Sequence, residues 1–381
     1  MTKIKPKPIY LDNNATTPIK PEVLEAMMPY LTDRFYNPSS AYSEGQKVAE
    51  DIEDARCFFA ESINADPDEI YFVSCGSEAN NWALRGVDLP NLCIISDIIE
   101  HHSILNVADT HTHYLAGIDP KSGIIEPANV RATIKYAKNE DPKYNLLVST
   151  MWINNELGTI QPIEDISQIA KDSGALFHVD AVQAYGKIPI DVQKCKIDML
   201  STSSHKLGAP RGSGFLYVRK GTPLKPFIYG GQQERHMRAG TENVACIMGF
   251  KKAAELAIAN MDSNTEKLKE LNKYFISIID TFKQYDIINK DMTTYPSTIS
   301  LDVGIPAEYI LAHLDEFDIF VSSGSACNSH DNKPSHVLKA IGLTDEEADR
   351  VIRISFAPDN TKEELEYVAK VLEDGIRLIK K

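Results

Sequence analysis

Residues 175–186 read ALFHVDAVQAYG. The first six form an apolar run that does not alternate with polar residues, the pattern of a strand buried on both faces. The run ends on a carboxylate, Asp180, with Gln183 three residues on. In open α/β sheets, ligands bind beyond the carboxyl ends of the strands. The stretch therefore predicts both a parallel sheet and the side of it on which to look for chemistry.

Working outward, EIYFVS, NLCIIS and NLLVSTMWI are similar runs. Helical patterns such as VRATIKYAK and EDISQIAKDSG lie between them, the second closing on a glycine. From about Glu22 to Cys246 the alternation is that of an α/β fold, a mostly parallel sheet covered by helices. The character then changes. One long helical stretch, AAELAIANMDSNTEKLKELNKYFISIIDTFKQY, leads to STISLDV, an AEYILAHLDE helix, VIRISF and a last helix from about Thr361. A length of 381 residues favours two domains. We expect a large domain over 13–255 and a smaller α+β domain over 256–381, with residues 1–12 packing against the latter.

Composition narrows the class. With 43% hydrophobic and 25% charged residues the chain reads as soluble and globular. No apolar run reaches the length of a membrane span, and no apolar stretch follows the first basic residues, so cytoplasm is the expected location. A net charge of −14 argues against nucleic acid as a partner. The six cysteines include no C-x-x-C pair, which argues against a disulfide framework and a zinc ribbon. Five of them (Cys57, Cys75, Cys93, Cys195 and Cys246) fall in or beside expected strands and helices, where packing explains them. Cys327 differs. It sits in VSSGSACNSHDNKPSH (321–336), whose small and polar residues read as an exposed, mobile loop. A thiol placed there is a candidate for reactivity.

The candidate chemistry gathers around TSSHKLGAPRGSGFLYV (202–218). Lys206 is either a solvated surface lysine or a Schiff-base lysine beside a phosphate cradle of hydroxyls, His205 and backbone N–H groups. Asp180 favours the second reading, because a pyridoxal cofactor needs a carboxylate to keep its ring nitrogen protonated. SCGSEANNWAL (74–84) reads strand, small-residue turn and helix, so Gly76 and Ser77 can present a helix N-terminus to a phosphate. In IIEHHSIL, His101 or His102 could stack on a cofactor or shuttle protons. Asn155, in WINNELG, closes a strand and could orient a carboxylate.

These residues carry a resemblance. Together with YLDNNATTP (10–18), YNPSS (36–40), NNELG (154–158), GGQQERHMRAGTENV (230–244), SSGSACNS (322–329) and IRIS (352–355), the chain resembles a group I cysteine desulfurase. These are class V aminotransferase-like, fold-type I enzymes that carry pyridoxal 5′-phosphate. The resemblance implies a seven-stranded, mostly parallel sheet in the large domain. It implies that Lys206 binds the cofactor and moves substrate protons, that Asp180 pairs with the ring nitrogen and Gln183 with the ring oxygen, and that His101 stacks on the ring. Gly76, Ser77, Ser203 and His205 would hold the phosphate, with Thr241 reaching the phosphate of a second subunit in a homodimer. Asn155 and Arg353 would hold the substrate carboxylate. Cys327 would take sulfur from L-cysteine as a persulfide, leaving alanine, and pass it to an acceptor such as an iron–sulfur scaffold; that persulfide could transiently ligate a cluster. A selenocysteine lyase or another class V aminotransferase-like enzyme would share the pocket without needing Cys327. A zinc site at Cys327, His330 and His336 is the non-enzymatic alternative; the expectation is no resident metal.

Overall fold

The computed structural model describes residues 8–282, 285–324 and 334–379. Leu176–Asp180 is the middle strand of a seven-stranded sheet. We number its strands β1 (Ile70–Val73), β2 (Leu92–Asp97), β3 (Thr112–Ala116), β4 (Asn145–Met151), β5 (Leu176–Asp180), β6 (Met199–Ser201) and β7 (Gly214–Val218). Their order across the sheet is β1-β7-β6-β5-β4-β2-β3. Only β7 runs against its neighbours. β5 is buried along almost its whole length, which is why its apolar run shows no alternation. Its one polar interior residue, His178, has both ring nitrogens occupied, by Ser149 Oγ and Ser201 Oγ at 2.9 Å each. Burial pushes its pKa down to about 3, so it sits in the sheet as a neutral imidazole.

The helices expected between strands form where the pattern places them. Pro127–Glu140 starts on a proline whose missing N–H costs nothing at a first turn. Ile163–Asp172 ends before Gly174, whose φ of +67° suits a residue without Cβ. On one face of the sheet, Phe59, Tyr185, Phe215 and Phe250 make a cluster of close ring contacts. These rings pin Ser43–Glu61 and Val244–Ala259 to β7.

The single helical stretch expected after Ala253 is two helices, Val244–Ala259 and Met261–Ile279. Asn260 separates them. Its Nδ2 caps the Leu256 carbonyl at 2.8 Å, while its own carbonyl accepts the first bond of the next helix, from Asn264 N–H. An asparagine side chain competes with the helical ladder in this way.

A second sheet, antiparallel and four-stranded, orders Asp286–Ile287, Thr298–Asp302, Val351–Ser355 and Ser322–Ser323. The N-terminal strand Ile9–Tyr10 pairs in parallel with Ile319–Phe320, and Ser355 N–H donates to the Leu11 carbonyl. That seam carries Asp12 to Arg353, whose Nη1 reaches the Asn155 carbonyl in the turn that follows β4. No helix among the described residues is long and apolar enough to cross a membrane.

Candidate active site

A cavity of about 290 Å³ opens at the carboxyl ends of β4 and β5. Of the residues singled out from the sequence, Gly76, Ser77, His101, Asn155, Asp180, Gln183, Ser203, His205, Lys206 and Arg353 all line it. Thr241 does not; it lines a separate hollow with Ser74 and Gly212. Cys327 and His330 lie outside the described residues. His336 is described, with Nε2 at 2.8 Å from the Glu100 carbonyl and its ring 4.7 Å from His102.

Asp180 ends β5 with its side chain fixed at both oxygens. Oδ1 accepts Val182 N–H at 2.9 Å, and Oδ2 accepts Asn80 Nδ2 at 2.7 Å. Asn80 also donates to Ser103 Oγ, which lies 2.8 Å from His101 Nδ1. Ser103 N–H donates to the same Nδ1, so that nitrogen is an acceptor. Burial lowers the His101 pKa, and nearby Lys206 and His102 add to the effect against the pull of Asp180. His101 is thus a neutral ring, suited to lie against an aromatic ligand. His205 is neutral for similar reasons: burial first, then Lys206 and Arg211, push its pKa down to about 4.

Lys206 follows Ser203 through a single 3-10 turn, Ser204–Lys206. Its Nζ donates to the carbonyls of Asn14 and Ala15, the latter at 2.8 Å. Gln183 donates from Nε2 to the same Asn14 carbonyl at 3.0 Å.

The opposite wall suits an anion. The helix Gly76–Arg85 begins at the cavity, and its N-cap residue Cys75 supplies no side-chain cap. A Cβ at position 76 would come within 2.5 Å of Val182 Cγ2 and 3.5 Å of Ser203 Cβ, so only glycine fits the approach. Ser203 Oγ is buried without a hydrogen-bond partner. An orphaned hydroxyl beside uncapped helix N–H groups fits a phosphate. Arg353 closes the far side, with Nη2 2.8 Å from Asp12 Oδ1 and Nη1 3.2 Å from the Asn155 carbonyl. Its Nε is buried and has no partner. Asn155 stands in the turn beyond Met151, not at the end of β4 as the sequence suggested. The Asn154 carboxamide oxygen ties that turn by accepting the N–H groups of Glu156 and Leu157.

Several residues here escaped the sequence reading: Asn14, Asn80, Ser103, Asp12 and Cys75, the last of which lines the cavity. Asn80 was detectable, since it lies four residues after Gly76 on one helix face. Asn14 offers its backbone carbonyl to Lys206 and Gln183, a contact that side-chain identity does not report, while its carboxamide donates to the Asn155 carbonyl and to Thr298 Oγ1. Cys57 is exposed, which corrects the expectation that packing accounts for it.

Comparison with known proteins shows the family. A family model for aminotransferase class-V matches residues 9–368. The chain belongs to that family, whose members depend on pyridoxal phosphate, and falls among its cysteine desulfurases. "Cysteine desulfurase IscS" of Dictyoglomus turgidum is 41% identical over 387 residues, covering 98% of this chain and 95% of that protein. A NifS-like protein from Rickettsia africae superposes with a TM-score of 0.89 at 32% identity, over 97% of this chain and 99% of that one. A structure described as SspA in complex with cysteine is 35% identical with a TM-score of 0.80, over 93% and 100% of the two chains.

Proposed function

We propose that this chain removes sulfur from L-cysteine, releasing L-alanine, with pyridoxal phosphate held in the 290 Å³ cavity. One observation carries the reading: Lys206, Asp180 and neutral His101 converge on the cavity that has an orphaned phosphate-type cradle at one end and Arg353 at the other. The bound cofactor supplies an electron sink for the substrate Cα. Lys206 would hold it covalently and would carry protons between substrate carbons. Asp180, fixed by Asn80 and Val182, would keep the ring nitrogen protonated. His101 would lie against the ring, and Gln183 would donate to its oxygen. Gly76, Ser77, Ser203 and His205 would bind the phosphate. Arg353, with its unused Nε, and Asn155 hold the substrate carboxylate.

The Cys327 thiolate attacks the substrate sulfur. The S–S bond forms as the C–S bond breaks, the electron pair stays on the substrate carbon, and a proton delivered there completes the methyl group of alanine. The net change is cysteine plus a thiol to alanine plus a persulfide. A sulfur-acceptor protein, such as an iron–sulfur scaffold, then takes the sulfur in the cytoplasm. The enzyme works as a homodimer in which Thr241 serves the partner's phosphate site. Thr241 is exposed and outside its own cavity, and Leu31, Phe35 and Tyr229 are large apolar side chains open to solvent in this single chain, which supports a partner surface. We divide the chain at residues 13–255 and 256–381.

The test is direct. Purified protein is expected to absorb visible light and to form alanine from cysteine; Lys206→Ala is expected to lose the visible band and to slow alanine formation by at least about a thousandfold. A variant that keeps the band and the turnover sinks the assignment.

A further inference from the structure

Lys187 is a second lysine beside the cavity, packed against Gln183 in the adjoining hollow. Its Nζ lies 2.8 Å from Gln183 Oε1. An ammonium or amine donates here, so Oε1 must be the accepting end of the amide. Gln183 Nε2 donates to the Asn14 carbonyl, which can only accept. The two contacts together leave no ambiguity of flip: Gln183 has one N–H spent on Asn14 and one left for the cavity it lines. Asn14's carbonyl also accepts Lys206 Nζ, so a continuous chain runs Lys187, Gln183, Asn14, Lys206.

We propose that Lys187 is a positioning residue for the cofactor: it holds Gln183 so that only an N–H faces the ring oxygen. The inference rests on the cofactor reading above. A donor-only contact favours the ionised form of that oxygen, and a donor on Oε1 polarises the amide and strengthens the N–H at its other end. Lys187 is half-buried and lines a second cavity of about 480 Å³ that shares Asn14 and Lys206 with the first. Burial pushes its pKa down to about 7, with Lys206 and Arg353 adding to the fall. The Tyr295 ring lies 5.7 Å from Nζ, and Lys20, Lys267 and Asp359 line the same cavity. Whatever charge Lys187 carries repels a proton from the lysine-bound cofactor. Both effects act in one direction, towards a lower proton affinity at the Lys206 linkage.

The experiment is a pH titration of the visible spectrum of the holoenzyme without substrate. In Lys187→Met the midpoint is expected to rise by about one unit, the size of shift a neighbouring donor or charge produces. Lys187→Arg, which keeps a donor and a charge, is expected to lie much closer to wild type. A Lys187→Met midpoint equal to wild type within error overturns the inference, as does an arginine variant shifted as far as the methionine one. A wild-type protein with no visible band at all overturns the cofactor reading and this inference together, so the two failures are distinguishable.

Discussion

Asn80 donates from Nδ2 to Asp180 Oδ2 at 2.7 Å, joining residues 100 positions apart at the centre of the site. The same amide reaches Ser103 Oγ at 2.9 Å, and through it His101. Asn80 therefore orients two of the groups proposed to meet the cofactor ring: the Asp180 carboxylate and, through Ser103, the His101 imidazole.

Replacing Asn80 with alanine removes a hydrogen bond to a charged acceptor. Such a bond contributes about 2 kcal/mol, roughly thirtyfold in affinity. Cofactor titration of the apoprotein, followed by absorbance, should show weakening of that order while the circular dichroism of the fold is unchanged. An affinity equal to wild type would show that Asp180 and His101 are held by their other contacts alone.

A second expectation concerns pH. Glu156 is buried next to Ser335 and near Arg353, and burial raises its pKa from 4.5 to about 7. Between these values the folded protein binds more protons at this group than the unfolded chain does. Stability from this group is therefore greatest at low pH and falls as pH rises from 4.5 towards 7. Glu156→Gln keeps a polar side chain for Ser335 and has no proton to lose. It should be more stable than wild type above pH 7, by up to about 3 kcal/mol, with the difference shrinking towards pH 5. Thermal melts at both pH values decide it. A difference that does not change with pH means that Glu156 does not titrate in this range.

Much of this arrangement was legible in the sequence because it depends on side-chain type and strand pattern. Asp180 closes an apolar run, Lys206 follows hydroxyls, and Gly76 opens a helix. What was not legible depends on the fold bringing distant segments together. Asp12 and Arg353 meet through pairing of an N-terminal strand with a C-terminal segment, a contact across 341 residues. Asn14's carbonyl receives Lys206 through backbone geometry. The helical stretch broken at Asn260 looked continuous because helix-forming residues lie on both sides, and one asparagine is a weak signal against them.

The shared-site reading predicts complementation. Lys206→Ala chains and Thr241→Ala chains should each be impaired alone. In a mixed dimer, one site would have Lys206 from one chain and Thr241 from the other. After equal mixing and subunit exchange, about a quarter of all sites would be intact, and activity should recover towards that fraction. Proven exchange without recovery would place Thr241 outside the partner's site.

The last expectation concerns the sulfur carrier, and the described cysteines sharpen it. Burial raises the thiol pKa of Cys93 and of Cys195 to about 11, and that of Cys246 upward as well. A thiol held above its ordinary range is poorly ionised at neutral pH and a weak nucleophile. Cys57 is exposed on the helix Ser43–Glu61 and is not among the residues that line the cavity. Cys75 is the serious competitor to Cys327, because it lines the cavity itself. It sits, however, at the N-cap of the helix proposed to bind the phosphate, where a covalent sulfur would crowd the cofactor. Cys327→Ser should keep the visible band and the spectral change on adding cysteine, and should lose alanine formation. Cys75→Ser should retain most of the turnover. Mass spectrometry of wild-type protein incubated with cysteine should place one added sulfur on the peptide that contains Cys327. Sulfur found on the Cys75 peptide instead, or normal desulfuration by Cys327→Ser, would move the carrier into the cavity and favour a lyase that needs no cysteine from residues 321–336.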